Sequence, residues 1–247
     1  MPDALAPFSP ATQQWFRNAF GTPTAAQEGA WESISKGENA LIIAPTGSGK
    51  TLAAFLWALD ALYRDKSAEP DQRELTTSTQ ARKNGDARET QKTKKQRAGG
   101  TRILYVSPLK ALGADVERNL RAPLAGIAHT AKESGRTPPD ITVGIRSGDT
   151  PARERRQLIS NPPDILLTTP ESLYLMLTSA ARSTLTGVTT VIVDEVHALA
   201  GTKRGAHLAV SLERLDQLVE RPVQRIGLSA TVNPPEAVAT FLGGVHP

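Results

Sequence analysis

The sequence predicts an α/β fold, a doubly wound and mainly parallel β-sheet with helices on both faces. Three observations carry this expectation. Six short runs of β-branched and leucine residues each stop at turn-forming residues, stretches of helical periodicity lie between them, and small, hydroxyl or acidic residues follow several runs directly. In a parallel sheet those following positions lie at the carboxyl ends of strands, where ligands bind.

The elements are taken in chain order. Trp15, Phe16, Phe20 and Trp31 fall in an N-terminal helix pair, where they read as packing against the sheet. The first strand is Leu41-Ile42-Ile43, and a helical pattern runs from Leu52 to Tyr63. Strands are then expected at Ile103-Leu104-Tyr105-Val106, Ile141-Thr142-Val143, Ile165-Leu166-Leu167, Val191-Ile192-Val193 and Arg225-Ile226-Gly227-Leu228. Before the last of these, Leu208, Leu212, Leu215 and Val219 recur at helical spacing until Pro222 stops the run.

Between Lys66 and Gly100 the only large apolar residue is Leu75, so the segment cannot bury enough to order itself. It reads as a flexible basic insertion in one domain spanning residues 1–247, with a phosphate-touching basic arm as the alternative. The segment holds nine Lys/Arg against five Asp/Glu, and the rest of the chain carries 20 of each. The net charge of +4 is therefore local, and a nucleic-acid groove must be argued from single residues.

Of 247 residues, 39% are hydrophobic and 22% charged, which excludes a collagen-like or mostly disordered chain. Cysteine is absent, so disulfides and thiolate metal sites are excluded, and the four histidines show no metal-ligand spacing. No run of 18 apolar residues and no signal-like N-terminus occurs, so a cytoplasmic chain without a membrane partner is expected.

After the first strand comes Ala44-Pro45-Thr46-Gly47-Ser48-Gly49-Lys50-Thr51, a phosphate-binding loop between strand and helix with Ala44 in place of the motif's first glycine. Thr46, Gly47, Ser48 and Gly49 would turn backbone N–H groups onto phosphates, Lys50 would reach the terminal phosphates of ATP, and Thr51 would offer its hydroxyl to Mg²⁺. Val191-Ile192-Val193 leads into Asp194-Glu195-Val196-His197. A buried strand that ends in two carboxylates calls for a cation, although the pair alone also suits a helix N-cap. Asp194 would then hold Mg²⁺ opposite Thr51, and Glu195 would polarise the attacking water.

Taken together, Ala44 to Thr51, Asp194 to His197 and Ser229-Ala230-Thr231 resemble motifs I, II and III of superfamily-two DEAD/DEAH-like helicases. Ser107-Pro108-Leu109-Lys110-Ala111-Leu112 and Thr169-Pro170-Glu171-Ser172-Leu173 resemble motifs Ia and Ib, and Phe20 to Gln27 resembles the upstream glutamine motif. The wording around motifs I and II is similar to the large helicase-related (Lhr) proteins of bacteria. The resemblance implies a RecA-like domain and an ATP-dependent motor that moves 3′ to 5′ on single-stranded DNA, unwinds duplexes including RNA:DNA hybrids, and serves DNA repair. It implies adenine recognition by Gln27, with Phe20 nearby, and coupling of hydrolysis to strand movement through His197, Ser229, Ala230 and Thr231. His197 packing beneath Thr231 is the alternative.

Helicases of this class have two RecA-like domains, so the chain is expected to be the first, with little activity alone, and the second is absent from it. A bacterial, nucleoid-associated location would follow. For nucleic acid, Pro108, Lys110, Thr169, Pro170, Glu171 and Ser172 follow strands and open helices, which suits sequence-tolerant phosphate contacts. Arg146 with Gly148, Asp149 and Thr150 reads either as a further backbone clamp or as a plain turn. An RNA-remodelling ATPase, or from another class a P-loop kinase or ATP-binding switch, remains the alternative.

Overall fold

The computed structural model describes residues 3–68, 100–108, 112–230 and 234–245. Six strands form one sheet in which every pairing is parallel: β1 (Ala40–Ile43), β2 (Ile103–Val106), β3 (Val143–Arg146), β4 (Ile165–Thr168), β5 (Thr190–Val193) and β6 (Gln224–Ser229), in spatial order β1-β6-β5-β2-β4-β3. Alternation within strands divides the core in two. Ile103, Tyr105, Ile165, Leu167 and Ile192 face one layer, and Leu104, Val106, Leu166, Val191 and Val193 face the other.

The first layer holds α1 (Pro10–Phe20), α2 (Ala25–Ile34), α3 (Lys50–Ala68) and α4 (Leu112–Glu133). The expected aromatic packing is present there. Phe16 and Trp31 are buried, Phe8 meets Trp31 edge-on at 4.9 Å, and the Trp31 indole N–H donates to the Ala53 carbonyl at 2.9 Å. The second layer holds α6 (Pro170–Leu177), a 3₁₀ turn over Ala180–Leu185, α7 (Val196–Leu199), α8 (Lys203–Val219) and α9 (Pro235–Gly243); α5 (Ala152–Ser160) links β3 to β4.

Two sequence boundaries move. The third strand lies at Val143–Arg146 rather than at residues 141–143, because Thr142 is clamped outside it: its N–H and hydroxyl both donate to Asp164 Oδ2 at 2.8 Å. Arg146 is thus the last residue of the strand. Lys66 also belongs to α3 and not to the insertion, since its ammonium donates to Asp164 Oδ2 at 2.8 Å and to the Asp140 carbonyl at 2.6 Å. Residues 69–99 of the expected insertion, together with Lys110 and Thr231, lie outside the described residues.

Candidate nucleotide and nucleic-acid site

The phosphate-loop residues join β1 to α3. Gly47 and Gly49 have φ of +84° and +82°, a backbone that side chains disfavour and that turns successive N–H groups to one side. Lys50 opens α3 and is buried, with its ammonium donating to the carbonyls of Ala44 at 3.1 Å and Pro45 at 3.4 Å. Thr51 follows it in the first turn of α3. The Ser48 hydroxyl is buried and has no hydrogen-bond partner, so the loop holds an unmet polar group.

The glutamine motif braces this loop from behind. Thr24 and Gln27 form a capping box at the start of α2: the Thr24 N–H donates to Gln27 Oε1 at 3.0 Å, and the Gln27 N–H donates to the Thr24 hydroxyl at 3.3 Å. The Thr24 hydroxyl then donates to the Ser48 carbonyl at 3.0 Å, and Gln27 Nε2 to the Gly49 carbonyl at 3.5 Å. Gln27, expected at adenine, is buried with its amide directed to the loop, whereas Phe20 keeps 54% of its surface exposed, beside Phe16 and Trp15.

β1 and β5 flank β6, two strand spacings or about 10 Å apart. That separation brings the phosphate loop and the Asp194–His197 box to the same edge of the sheet. Asp194 is buried; its Oδ1 accepts the Glu195 N–H at 2.9 Å and its Oδ2 accepts the Tyr105 hydroxyl at 2.5 Å. Burial, and then the Asp194 carboxylate, push the Tyr105 hydroxyl well above the usual phenol range, so it stays a donor. Glu195 has φ +48°, a left-handed conformation that costs on the order of 1 kcal/mol in a non-glycine residue; among the described residues only Glu220, at the end of α8, shares it.

Glu195 Oε2 lies 3.2 Å from His197 Nε2. On the other side of the ring, His197 Nδ1 accepts the Ala230 N–H at 3.3 Å and lies 3.2 Å from the Ser229 hydroxyl. A backbone N–H can only donate, so Nδ1 is the acceptor and Nε2 carries the proton toward Glu195. The end of β6 is therefore hydrogen-bonded through one imidazole to Glu195.

The donors suit Mg²⁺. Thr51 and Asp194 supply hard oxygens, and among the described residues no cluster of three His, Cys, Asp or Glu forms a self-sufficient metal cage. One carboxylate and one hydroxyl beside a triphosphate is how Mg²⁺ is commonly held.

The other half of the sheet edge carries the remaining expected residues. Ser107 and Pro108 are buried after β2, with the Ser107 N–H donating to the Thr168 carbonyl at 3.0 Å. Arg146 is buried and its Nη1 has no hydrogen-bond partner; burial first and Arg155 second lower its pKa. Beside it the turn at residues 147–150 is fixed from within. The Ser147 N–H donates to the Thr150 hydroxyl at 2.9 Å, and Arg155 donates to the carbonyls of Thr150 and Gly148, each at 2.7 Å. Arg155 was not singled out by the sequence.

At α6 the side chains build the helix start. Thr169 is the N-cap, its hydroxyl accepting the Ser172 N–H at 3.3 Å and bonding the Ser172 hydroxyl at 3.2 Å, and Pro170 occupies the first helical position. Pro170 has no N–H and the Ser172 N–H is taken by Thr169, so these groups serve the helix start itself. Glu171 pairs with Arg204 at the start of α8, and that hydrogen bond holds its carboxyl down at about 2.

The chain is 60% identical over 245 residues to the Lhr helicase/probable uracil glycosylase of Mycolicibacterium smegmatis, and 57% identical over 248 residues to the Lhr helicase/uracil glycosylase of Escherichia coli. It covers 99% and 100% of itself in these matches but only 14% and 15% of those proteins. The structure of Mycobacterium smegmatis helicase Lhr bound to ssDNA and AMP-PNP superposes with a TM-score of 0.83 at 59% identity, over 99% of this chain and 28% of that one. Solved DEAD-box helicases such as Mss116, at 16% identity and a TM-score of 0.68, share the RecA-like fold. The DEAD/DEAH box helicase family model matches residues 24–239, and the chain belongs to that family.

Proposed function

We propose that the chain is the ATP-binding motor domain of an ATP-dependent 3′-5′ DNA helicase of the Lhr type, acting with a second RecA-like domain in the same polypeptide. The observation that carries this reading is the hydrogen-bonded line Ala230–His197–Glu195, which ends at the same edge of the sheet as the phosphate loop, two strands away. The similarity to an Lhr helicase solved with ssDNA and AMP-PNP supports both ligands. Membership of the helicase family argues against a P-loop kinase or a bare ATP-binding switch.

In this reading Lys50 and the loop N–H groups bind the β- and γ-phosphates, and the Ser48 hydroxyl gains the partner it lacks. Thr51 and Asp194 would hold Mg²⁺. The chemistry that cation supplies when bound is neutralisation of charge on the phosphate oxygens. Glu195 orients and deprotonates the attacking water, while the His197 Nε2 proton fixes the carboxylate. Gln27 would reach the adenine only by releasing its amide from the Gly49 carbonyl, with the exposed Phe20 beside it. His197, Ser229, Ala230 and Thr231 couple the reaction to the strand.

For nucleic acid, Arg146 offers a buried guanidinium with an unmet donor, which favours an anionic phosphate oxygen. The 148–150 turn, the α6 N-terminus from Thr169 to Ser172, and Pro108 would continue that line, with Lys110 adding charge. These are backbone contacts, so an RNA:DNA hybrid is a compatible substrate. Among the described residues no helix is long and apolar enough to cross a membrane, and a cytoplasmic, DNA-associated location suits the reading.

The test is ATPase of the full-length protein with single-stranded DNA, single-stranded RNA and no nucleic acid, followed by strand displacement from either end. Stimulation by DNA and displacement by 3′-to-5′ movement are expected. Stimulation by RNA alone would redirect the reading to RNA remodelling, and no stimulation by either would overturn it.

A further inference from the structure

Tyr105 is the one polar side chain in β2, among Ile103, Leu104 and Val106, all buried. A buried phenol needs a partner for its hydroxyl. It does not find one on its own strand. Register sets Tyr105 beside Ile192 of β5, and its hydroxyl reaches two residues further to Asp194 Oδ2 at 2.5 Å. From the other side the Phe55 ring stacks on it, with centroids 5.1 Å apart and planes 25° from parallel. Phe55 lies little more than one turn along α3 from Lys50 and Thr51. The phenol is thus held by the helix that follows the phosphate loop and is aimed at the carboxylate opposite that loop.

We propose that Tyr105 is a positioning residue for the Asp194 carboxylate, and through it for Mg²⁺ bound with nucleotide. The inference rests on the assignment of Asp194 to the cation made above. A free aspartate can rotate about its two side-chain torsions. Here Oδ2 is tied to Tyr105 and Oδ1 to the Glu195 N–H, which fixes the plane of the group. Each oxygen has a second lone pair, so two acceptor positions remain for a cation or its water. Hydrogen bonds of this kind orient metal ligands, and removing them typically lowers metal affinity about 10- to 100-fold.

The experiment titrates Mg²⁺ into the full-length protein with a fluorescent ATP analogue, reading bound nucleotide rather than turnover, for wild type, Tyr105→Phe and Asp194→Asn. Tyr105→Phe keeps the ring under Phe55 and removes only the hydroxyl. The expected result is a variant that still unfolds cooperatively, with unchanged nucleotide affinity in EDTA and a Mg²⁺ midpoint raised roughly tenfold. A wild-type midpoint in Tyr105→Phe beside a raised one in Asp194→Asn would overturn the inference and leave the Asp194 assignment standing. An unshifted midpoint in Asp194→Asn would overturn both. Equal weakening of binding with and without Mg²⁺ in Tyr105→Phe would reduce the residue to packing and overturn the inference as well.

Discussion

Glu195 and His197 face each other across one turn of chain, with Oε2 and Nε2 3.2 Å apart, and the imidazole is held from behind by the Ala230 N–H. The carboxylate at the sheet edge therefore has its orientation set by the last strand.

Glu195→Gln is expected to bind ATP normally and to lose at least about a hundredfold in kcat, because a general base acts only as the water attacks. Lys50→Ala is expected to lose nucleotide affinity as well as turnover, since Lys50 meets charge already present before reaction. Equilibrium binding and single-turnover hydrolysis on the full-length protein check both. Near-normal turnover by Glu195→Gln would remove it as the base.

The Glu171–Arg204 pair gives a pH signature. Arg204 lowers the Glu171 pKa from its ordinary value near 4.5 to about 2, so the pair's contribution is present above about pH 4.5 and is lost as pH falls toward 2. Both groups are partly exposed, which limits that contribution to about 1 kcal/mol or less. In Arg204→Met the Glu171 carboxyl is expected to titrate higher than in wild type, read by NMR of the side-chain carboxyl, and the variant should lose less stability than wild type on acidification below pH 4.5.

Arg225 is a larger structural commitment. Its guanidinium, 3% exposed, donates to Glu213 at 2.9 Å, to Asp216 at 2.6 Å and to the Leu242 carbonyl at 3.1 Å, which ties β6 to α8 and α9. Arg225→Ala leaves two carboxylates without their cation, and a loss of about 3–5 kcal/mol in unfolding free energy is expected from urea denaturation. A loss under 1 kcal/mol would mean that water reaches Glu213 and Asp216 freely.

Replacing residues 69–99 by a short Gly/Ser linker is expected to leave the melting temperature and basal ATPase close to wild type, because shortening a loop changes its closure entropy only slowly. A cut that begins at Lys66 should do worse. It removes the ammonium that joins α3 to Asp164 and the Asp140 carbonyl, and a lower melting temperature for the longer deletion is the check.

Much of this was legible in the residues. The phosphate loop and the Asp194–His197 box declare themselves because their chemistry is local, with the residues adjacent and the flanking elements strongly periodic. The third strand differs from its sequence expectation because Ile141 and Thr142 look more strand-like than Gly144 and Arg146; Asp164, further along the chain, decides the matter. Tyr105, Arg155, Arg204 and Arg225 went unread for a related reason. Tyr105 and its polar atom stand out in an apolar run, but its partner lies 89 residues away, and no spacing rule connects them.

The phosphate loop hangs from β1, and among the described residues β6 is the only strand hydrogen-bonded to β1. The Arg225 N–H that donates to Asn39 Oδ1 at their junction comes 186 residues later in the chain. A ribosome adding roughly 5–20 residues per second thus makes the nucleotide loop early and its neighbouring strand on the order of ten seconds or more afterwards. Pairings of such long separation also form slowly. Nascent chains in which β6 is still inside the exit tunnel should therefore lack the completed β1 edge, and ATP competence would arrive near the end of the domain's synthesis, as a property of its strand order.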